Sequence, residues 1–323
     1  MRNILFVIDP FESLTIKKDT SLALMWAAER RSWQVFTCEI GDLFWVNGVT
    51  EVFAQRTRLH EDWENKANEK QIWFSREGPE RCPASEFDII MMRKDPPFDM
   101  DYINATYLLG EAEKAGVLVC NRPNSLRDCN EKFFTTSFPD LTPNQVISQR
   151  EDVLVDFHTQ YRDVIFKPLD GMGGKGIFRV REDDPNLHVV LETLTQGFQT
   201  QIVAQEFIPD IVNGDKRILL VNGKVIPYVL ARIPKAGEAR GNLAAGGTGV
   251  GQELSENDAQ IAEAISPVLV ERGLYFTGID VIGNYLTEIN VTCPTCVREL
   301  DEQFGIDIGS QLMAELDSLL VEA

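Results

Sequence analysis

Residues 164–180 read Val164-Ile-Phe-Lys-Pro-Leu-Asp-Gly-Met-Gly-Gly-Lys-Gly-Ile-Phe-Arg-Val180, two short β-rich runs around a loop with glycines at 171, 173, 174 and 176. Apolar runs flanking a glycine cluster predict strand, loop, strand. Backbone without Cβ atoms approaches an anion closely and aims several N–H groups at it, so a hairpin flap closing over phosphates is the functional reading. Lys167 and Lys175 add positive charge beside it. An ordinary glycine-rich hairpin loop stays open as the alternative. The spacing formally fits G-x-G-x-x-G, but that fingerprint needs a helix opening after the glycines, and Ile177-Phe-Arg-Val180 reads as a strand. A Walker A loop is excluded because Lys175 is followed by Gly176 rather than Ser or Thr.

A chain of 323 residues can bury a sizeable core and divides naturally into two or three units. Its net charge of −19 argues against nucleic acid or an anionic membrane surface as main partner, since both need a positive face. No apolar run approaches the roughly 20 residues of a membrane helix, and the apolar N-terminal stretch is too short for a signal peptide. Six scattered cysteines in a chain this long point to a reducing cytoplasm rather than a disulfide scaffold. Cys293-Pro-Thr-Cys296 is the one close pair; with only three histidines and no second pair it reads as small residues lining a turn, not a zinc site.

Taken in order, Ile4 to Ile8 reads as a strand ending at Asp9-Pro10, and Thr20-Ser21 as the cap of a helix. Val35 to Cys38, Phe87 to Met92 and Val117 to Cys120 are further strands, the last two flanking a helix from Tyr102 to Ala115. The first 120 or so residues thus alternate as a parallel α/β sheet. Ligands bind beyond the carboxyl ends of such strands, which makes Asp9, Lys17, Lys18, Arg93, Lys94 and Asp95 candidates. Ser125 is expected to cap a connecting helix carrying Lys132, Phe133 and Phe134. An α+β unit follows: Val146-Ile147, a helix from Glu151 to Thr159, the glycine hairpin, a helix from Asn186 to Gln196 and a strand from Ile202 to Ile208. Asn222-Gly223 joins two strands in the strongest short hairpin signal. Residues 235–251, rich in glycine, read as a mobile lid that brings Arg240, with Arg232 just before it, over an anionic substrate. Ser255 opens a helix running towards Gly273 and bent at Pro267, and Ile308 to Leu320 is helical.

Thr277 to Val291 forms a second hairpin. Glu288 and Asn290 are two apart on a strand and share a face, and a carboxylate beside an amide oxygen suits a hard cation such as magnesium. Asp280 joins them only in the right register. A two-residue loop sets Asp280 opposite Thr287, whereas a three-residue loop, Gly283 to Tyr285, sets it across from Glu288. The odd-numbered loop is therefore the expectation.

Lys167-Pro-Leu-Asp-Gly-Met-Gly-Gly174, Met92-Arg-Lys-Asp-Pro-Pro-Phe98, Asn124-Ser-Leu-Arg-Asp-Cys-Asn-Glu-Lys132, Arg240-Gly-Asn-Leu-Ala-Ala-Gly-Gly247 and Thr287-Glu-Ile-Asn-Val-Thr292 together resemble the bacterial glutathione synthetases, a family of ATP-grasp ligases, along essentially the whole chain. The resemblance implies an ATP-grasp fold of α/β and α+β type. Its parts are a Rossmann-like (pre-ATP-grasp) domain over 1–122, a central lid domain with the glycine flap over 123–203, and a C-terminal domain over 204–323 with the metal site and mobile loop. It implies ligation of γ-glutamylcysteine to glycine with ATP converted to ADP and phosphate, Mg2+ or Mn2+ as cofactor, and a homotetramer. By position, Lys132 and Lys167 hold ATP phosphates under a flap of Gly171, Met172, Gly173, Gly174, Lys175 and Gly176. Gln205, Glu206, Phe207 and Ile208 form the adenine hinge, and Asp215 lies near the ribose. Asp280, Glu288 and Asn290 hold the metal. Arg217, Arg232 and Arg240 act on the acyl phosphate and substrate carboxylates. Lys18, Arg93, Gly246, Gly247 and Thr292 border the substrates. The family pattern has serine where this chain has Cys293, which weakens a redox reading. Two other readings are a ligase with another acceptor, such as D-alanine or glutamate, and a nucleotide-binding module without ligation; the presence of Asp280, Glu288 and Asn290 speaks against the latter.

Overall fold

The computed structural model describes residues 1–61, 63, 73–238, 240–243 and 246–322. The apolar runs near the N-terminus become the central strands of a sheet, buried on both faces there as parallel strands covered by helices must be. Its strands are β1 (Asn3–Val7), β2 (Gln34–Cys38), β3 (Leu43–Val46), β4 (Val49–Leu59), β5 (Phe74–Pro83), β6 (Ile89–Met92) and β7 (Leu118–Cys120), in the order β3-β4-β2-β1-β6-β7 with β5 on β4. The run β2-β1-β6-β7 is parallel, with α1 (Thr20–Arg30) and α2 (Met100–Lys114) among its crossovers.

Two expectations change here. The cap of α1 is Asp19, whose carboxylate accepts from the Ser21 and Leu22 N–H groups at 2.7 and 3.2 Å, while Thr20 and Ser21 are its buried first turn. The stretch is also not purely alternating β and α, because β3, β4 and β5 add an antiparallel extension. Its signal was the alternation of buried Thr50, Val52 and Ala54 with exposed neighbours, muted by threonines on the inward face.

The connection to the next sheet is not one helix. A short α3 (Pro123–Asp128) starts with proline, and Lys132 precedes a separate 3-10 turn; Ser125 does not cap but donates to the Arg272 carbonyl. The second sheet is antiparallel, in the order β10-β9-β11-β8, from β8 (Gln145–Ser148), β9 (Asp163–Pro168), β10 (Phe178–Arg181) and β11 (Ile202–Glu206). It is backed by α4 (Glu151–Tyr161) and α5 (Leu187–Leu194). A boundary at 203/204 falls inside β11, which pairs with both β8 and β9.

The third sheet has the order β14-β13-β12-β15-β16, from β12 (Asp215–Val221), β13 (Lys224–Ile233), β14 (Thr248–Glu253), β15 (Phe276–Ile282) and β16 (Tyr285–Asn290). Asn222 and Gly223 join β12 to β13 with φ of 46° and 75°, the paired positive values of a type I′ turn. The expected loop at 235–251 is shorter than predicted, because its last residues form β14. Gly249 and Gly251 there leave room for Leu230 and for Phe304, whose ring a Cβ at 251 would meet at 2.5 Å. Ala239, Ala244 and Ala245 of that segment lie outside the described residues. The helices are α6 (Glu256–Glu271), capped by Ser255 as expected, α7 (Val297–Phe304), not anticipated, and α8 (Ile308–Glu322).

The first and third sheets do not fold over separate cores. Leu5, Val7 and Ile90 belong to one apolar cluster with Ile218, Ile279 and Ile289. Helix α8 packs on α1, where Gly309 brings the two so close that a Cβ would lie 3.1 Å from the Ala23 carbonyl. Buried Asn121, just after β7, donates to the Phe276 and Val291 carbonyls at 2.7 and 2.8 Å and accepts from the Phe276 N–H at 2.9 Å. Replacing Asn121 with alanine strands these buried backbone groups, so stability should fall by about 2–3 kcal/mol. Thermal or urea unfolding checks this, and an unchanged midpoint contradicts the bridging role.

Candidate active site

The Thr277–Val291 hairpin reaches its register by an unforeseen route. Its loop has two residues, Gly283 and Asn284, with Ile282 paired to Tyr285, where an odd loop was expected. A bulge then intervenes: Val281 pairs with Leu286 and Asp280 with Glu288, leaving Thr287 as the extra residue. Asp280 and Glu288 thus stand on one face, as the metal reading required. The bulge also frees the Thr287 carbonyl from the ladder, and it accepts from Lys167 Nζ at 3.3 Å. Nothing local in the sequence distinguishes a bulge from a longer turn.

Pairing across the third sheet extends that face into a row of charges. Arg232 on β13 lies opposite Asp215 on β12, Arg217 is two residues further along, and opposite Arg217 is Asp280. The Asp280 oxygens meet Arg217 Nε at 2.5 Å, Arg217 Nη2 at 3.1 Å and Arg232 Nη2 at 2.9 Å, and Arg232 Nη2 also meets Asp215 at 2.5 Å. Burial alone would raise the Asp280 pKa; the charges and hydrogen bonds of Arg217 and Arg232 outweigh it and hold the carboxyl well below the usual carboxylate range. At Asp215 burial prevails over Arg232 and pushes the carboxyl up to about 6.

Lysines bridge this face to the glycine hairpin. Lys132 Nζ contacts Glu288 at 3.0 Å and donates to the Gly171 carbonyl at 2.6 Å. Lys167 Nζ donates to Gln205 Oε1 at 2.9 Å. Burial, aided by Lys132, pushes Lys167 down to about 8 against the opposing pull of Glu288. Gly173, Gly174 and Gly176 have φ of 63°, 79° and 72°, values L side chains rarely adopt. Arg240 Nη1 lies 3.4 Å from the Gly174 carbonyl, so the segment after β13 meets the flap.

The two hairpins enclose a cavity of about 540 Å3. Its wall carries Lys132, the flap from Gly171 to Lys175, Arg217, Arg232, Glu288 and Asn290, together with Lys18, Arg93 and Thr292. Buried Arg93 bonds Ser21 and the Pro294 carbonyl and keeps Nη1 without a partner. Cys293 and Cys296 also line the wall, so the turn reading understates their position. Other expected residues stand off it. Lys167, Asp215 and Asp280 are buried behind it, Gly176 lies against Pro168, and Arg240 meets the Gly174 carbonyl of the flap while pairing with Glu238. Gly246 and Gly247 serve packing within their loop, where a Cβ at 247 would sit 2.3 Å from the Gly241 carbonyl. At the expected hinge, Gln205 holds Lys167, and the Glu206 and Phe207 N–H groups donate to the Asn144 and Asp163 carbonyls. Sequence reasoning passed over Glu131 and Asn242, which line the same cavity.

The donor chemistry fits a hard cation. Asn290 donates its Nδ2 to the Gly278 carbonyl at 3.0 Å, leaving its amide oxygen as the free donor beside Glu288. Among the described residues no group of three or more His, Cys, Asp or Glu is arranged to hold a metal alone, as expected where phosphates and waters complete the shell.

Residues 2–127 match a family model described as prokaryotic glutathione synthetase, N-terminal domain, and residues 131–305 match the ATP-grasp domain of the same family. The chain is 53% identical over 307 residues to a glutathione synthetase of Pseudomonas aeruginosa, covering 95% of each chain. It is 49% identical over 317 residues to one of Yersinia pestis, covering 98% and 97%. The fold is similar to an ATP-grasp ligase of Chryseobacterium gregarium associated with RiPP peptides, at 16% identity and a TM-score of 0.65 over 100% and 98% of the chains. It is also similar to a D-alanine–D-alanine ligase of Bacillus anthracis, at 14% identity and 0.59 over 100% and 98%.

A charged lysine attracts phosphate and a neutral one does not. Affinity for ADP should therefore fall as pH rises through about 8, where Lys167 loses its proton. Lys167→Arg, which stays charged, should flatten that limb in calorimetric titrations; an equal slope in both proteins would assign the effect elsewhere.

Proposed function

The chain belongs to the prokaryotic glutathione synthetase family, and on that premise we propose how its cavity performs the reaction. The enzyme is an ATP-dependent ligase that joins γ-L-glutamyl-L-cysteine to glycine, with ADP and phosphate as the other products. The observation that carries the site assignment is Lys132, which touches both the flap carbonyl of Gly171 and the carboxylate of Glu288.

A carboxylate resists attack by an amine because oxide is its leaving group. The cysteinyl carboxylate first takes the γ-phosphoryl group of ATP, giving an acyl phosphate and ADP. The glycine amine then attacks the acyl carbon, and phosphate departs from the tetrahedral oxyanion. Lys132 and Lys167 neutralise the charge on the moving phosphoryl group, and Arg217 with Arg232 stabilises the oxyanion. Gly171 to Gly176 and Arg240 close over the acyl phosphate and keep water out. Lys18, Arg93 and Thr292 hold the dipeptide, with Gly246 and Gly247 shaping the lid. The backbone from Gln205 to Ile208 receives the adenine, and Asp215 orders Arg232 on the ribose side.

Glu288 and Asn290, backed by Asp280, would hold Mg2+ or Mn2+. Asp280 Oδ1 keeps a second lone pair beyond its one guanidinium contact, whereas Oδ2 takes two, from Arg217 and Arg232. When bound, the ion neutralises phosphate charge. Units at 1–122, 123–206 and 207–323 serve as the substrate, lid and metal-bearing parts. Six free cysteines support action in a reducing cytoplasm. No helix among the described residues is long and apolar enough to cross a membrane. The family resemblance supports a homotetramer.

Measuring ADP release with ATP, γ-glutamylcysteine and glycine, and with each omitted in turn, tests the function. Full turnover should need all three, and turnover with another amino acid in place of glycine would contradict it. Arg217→Lys keeps a positive charge for Asp280 but loses the fork. It should lower kcat on the order of 100-fold while the KM for ATP changes less than about threefold. Equal losses in both would remove Arg217 from the oxyanion.

A further inference from the structure

Asn130, Glu131 and Lys132 have no regular structure of their own, yet they contact both hairpins that line the cavity. Asn130 Nδ2 donates to the Leu169 carbonyl at 3.2 Å at the root of the flap, and its Oδ1 accepts from the Lys132 and Phe133 N–H groups. Lys132 ties the flap to Glu288. Glu131 lies between them and is tied to the metal-bearing strand twice over. Its backbone carbonyl accepts from the Ile289 N–H at 2.9 Å. Its Oε1 accepts from the Val291 N–H at 2.9 Å, the Thr292 N–H at 3.0 Å and the Thr292 hydroxyl at 2.8 Å.

Three donors converge on one oxygen at the point where β16 leaves the sheet. Just before that point stand Glu288 and Asn290, and just past it stands Thr292, which lines the same cavity. We propose that Glu131 is a positioning residue for the ligation: by fixing the 291–292 turn to the segment that carries Lys132, it sets the distance between the phosphate-facing side of the cavity and the dipeptide carboxylate. What the geometry uses is an oxygen acceptor at a set reach, not a negative charge. The side chain acts through Thr292 and touches no reacting atom.

Two conservative variants separate reach from charge. Glu131→Gln keeps an acceptor oxygen at the same distance, whereas Glu131→Asp keeps the charge but withdraws it by about 1.5 Å, one carbon–carbon bond. A displacement near 1 Å at a reacting centre can lower rate by up to about 100-fold. Glu131→Gln should retain kcat within about threefold, while Glu131→Asp should lose at least about tenfold in kcat and raise the KM for γ-glutamylcysteine. Calorimetric affinity for Mg-ADP should stay within about threefold in both, since Lys132, Lys167 and Glu288 are untouched.

The inference is overturned if Glu131→Gln is the impaired variant, if both behave as the unmodified enzyme, or if Glu131→Asp loses Mg-ADP affinity as steeply as kcat. It rests on the ligase reading, which the unmodified enzyme tests first. No ADP release from γ-glutamylcysteine and glycine sinks that reading, whereas an active enzyme with the reversed variant order sinks only the role of Glu131.

Discussion

A row of buried opposite charges governs this structure. Arg232, Asp215, Arg217, Asp280 and Glu288 lie along one face of the third sheet, and Lys132 and Lys167 close the row from the second unit. A buried charge is tolerated only when paired, and removing one partner strands the others. The row therefore admits few arrangements: the lysines must stand over Glu288 and the bulged Thr287, which brings the flap root to the cavity. Packing adds to the constraint, because the first and third sheets share an apolar cluster and cannot shift apart without opening it.

That arrangement explains how one cavity can tolerate arginines in its wall. Asp280 sits between two guanidinium groups and stays ionised, so each arginine is held with part of its charge answered. Lys167, by contrast, bonds neutral acceptors among the described residues, the Gln205 amide and the Thr287 carbonyl, and burial pushes it down to about 8. Arg93, also in the wall, keeps one buried nitrogen without a hydrogen-bond partner. Charge-bearing groups thus surround a site in which charge must move.

Much of this was legible in the sequence because the informative residues are local. Glycine spacing marked the flap, Asn222-Gly223 marked its turn, and the period of two joined Glu288 to Asn290. The resemblance of several motifs then supplied Lys132 and the family. Other features depend on partners far away in the chain. Whether Asp280 faces Glu288 hinges on a bulge at Thr287, which local propensity does not encode. Asp19 rather than Thr20 caps α1, since both types cap well and only the backbone decides. The polar alternation from Val49 to Leu59 hid three antiparallel strands, and nothing local marks Glu131, whose three donors come from residues 291 and 292.

The central claim is that the glycine hairpin and the Asp280–Asn290 hairpin grip a metal-bound nucleotide between them. A crystal structure with ADP and Mn2+, read through the anomalous signal of manganese, tests it most directly. The account predicts one manganese peak against the carboxylate of Glu288 and the amide oxygen of Asn290, with ADP phosphates between that ion and the backbone of Gly171 to Gly176. A manganese peak away from both residues, or ADP bound outside the flap, would contradict it.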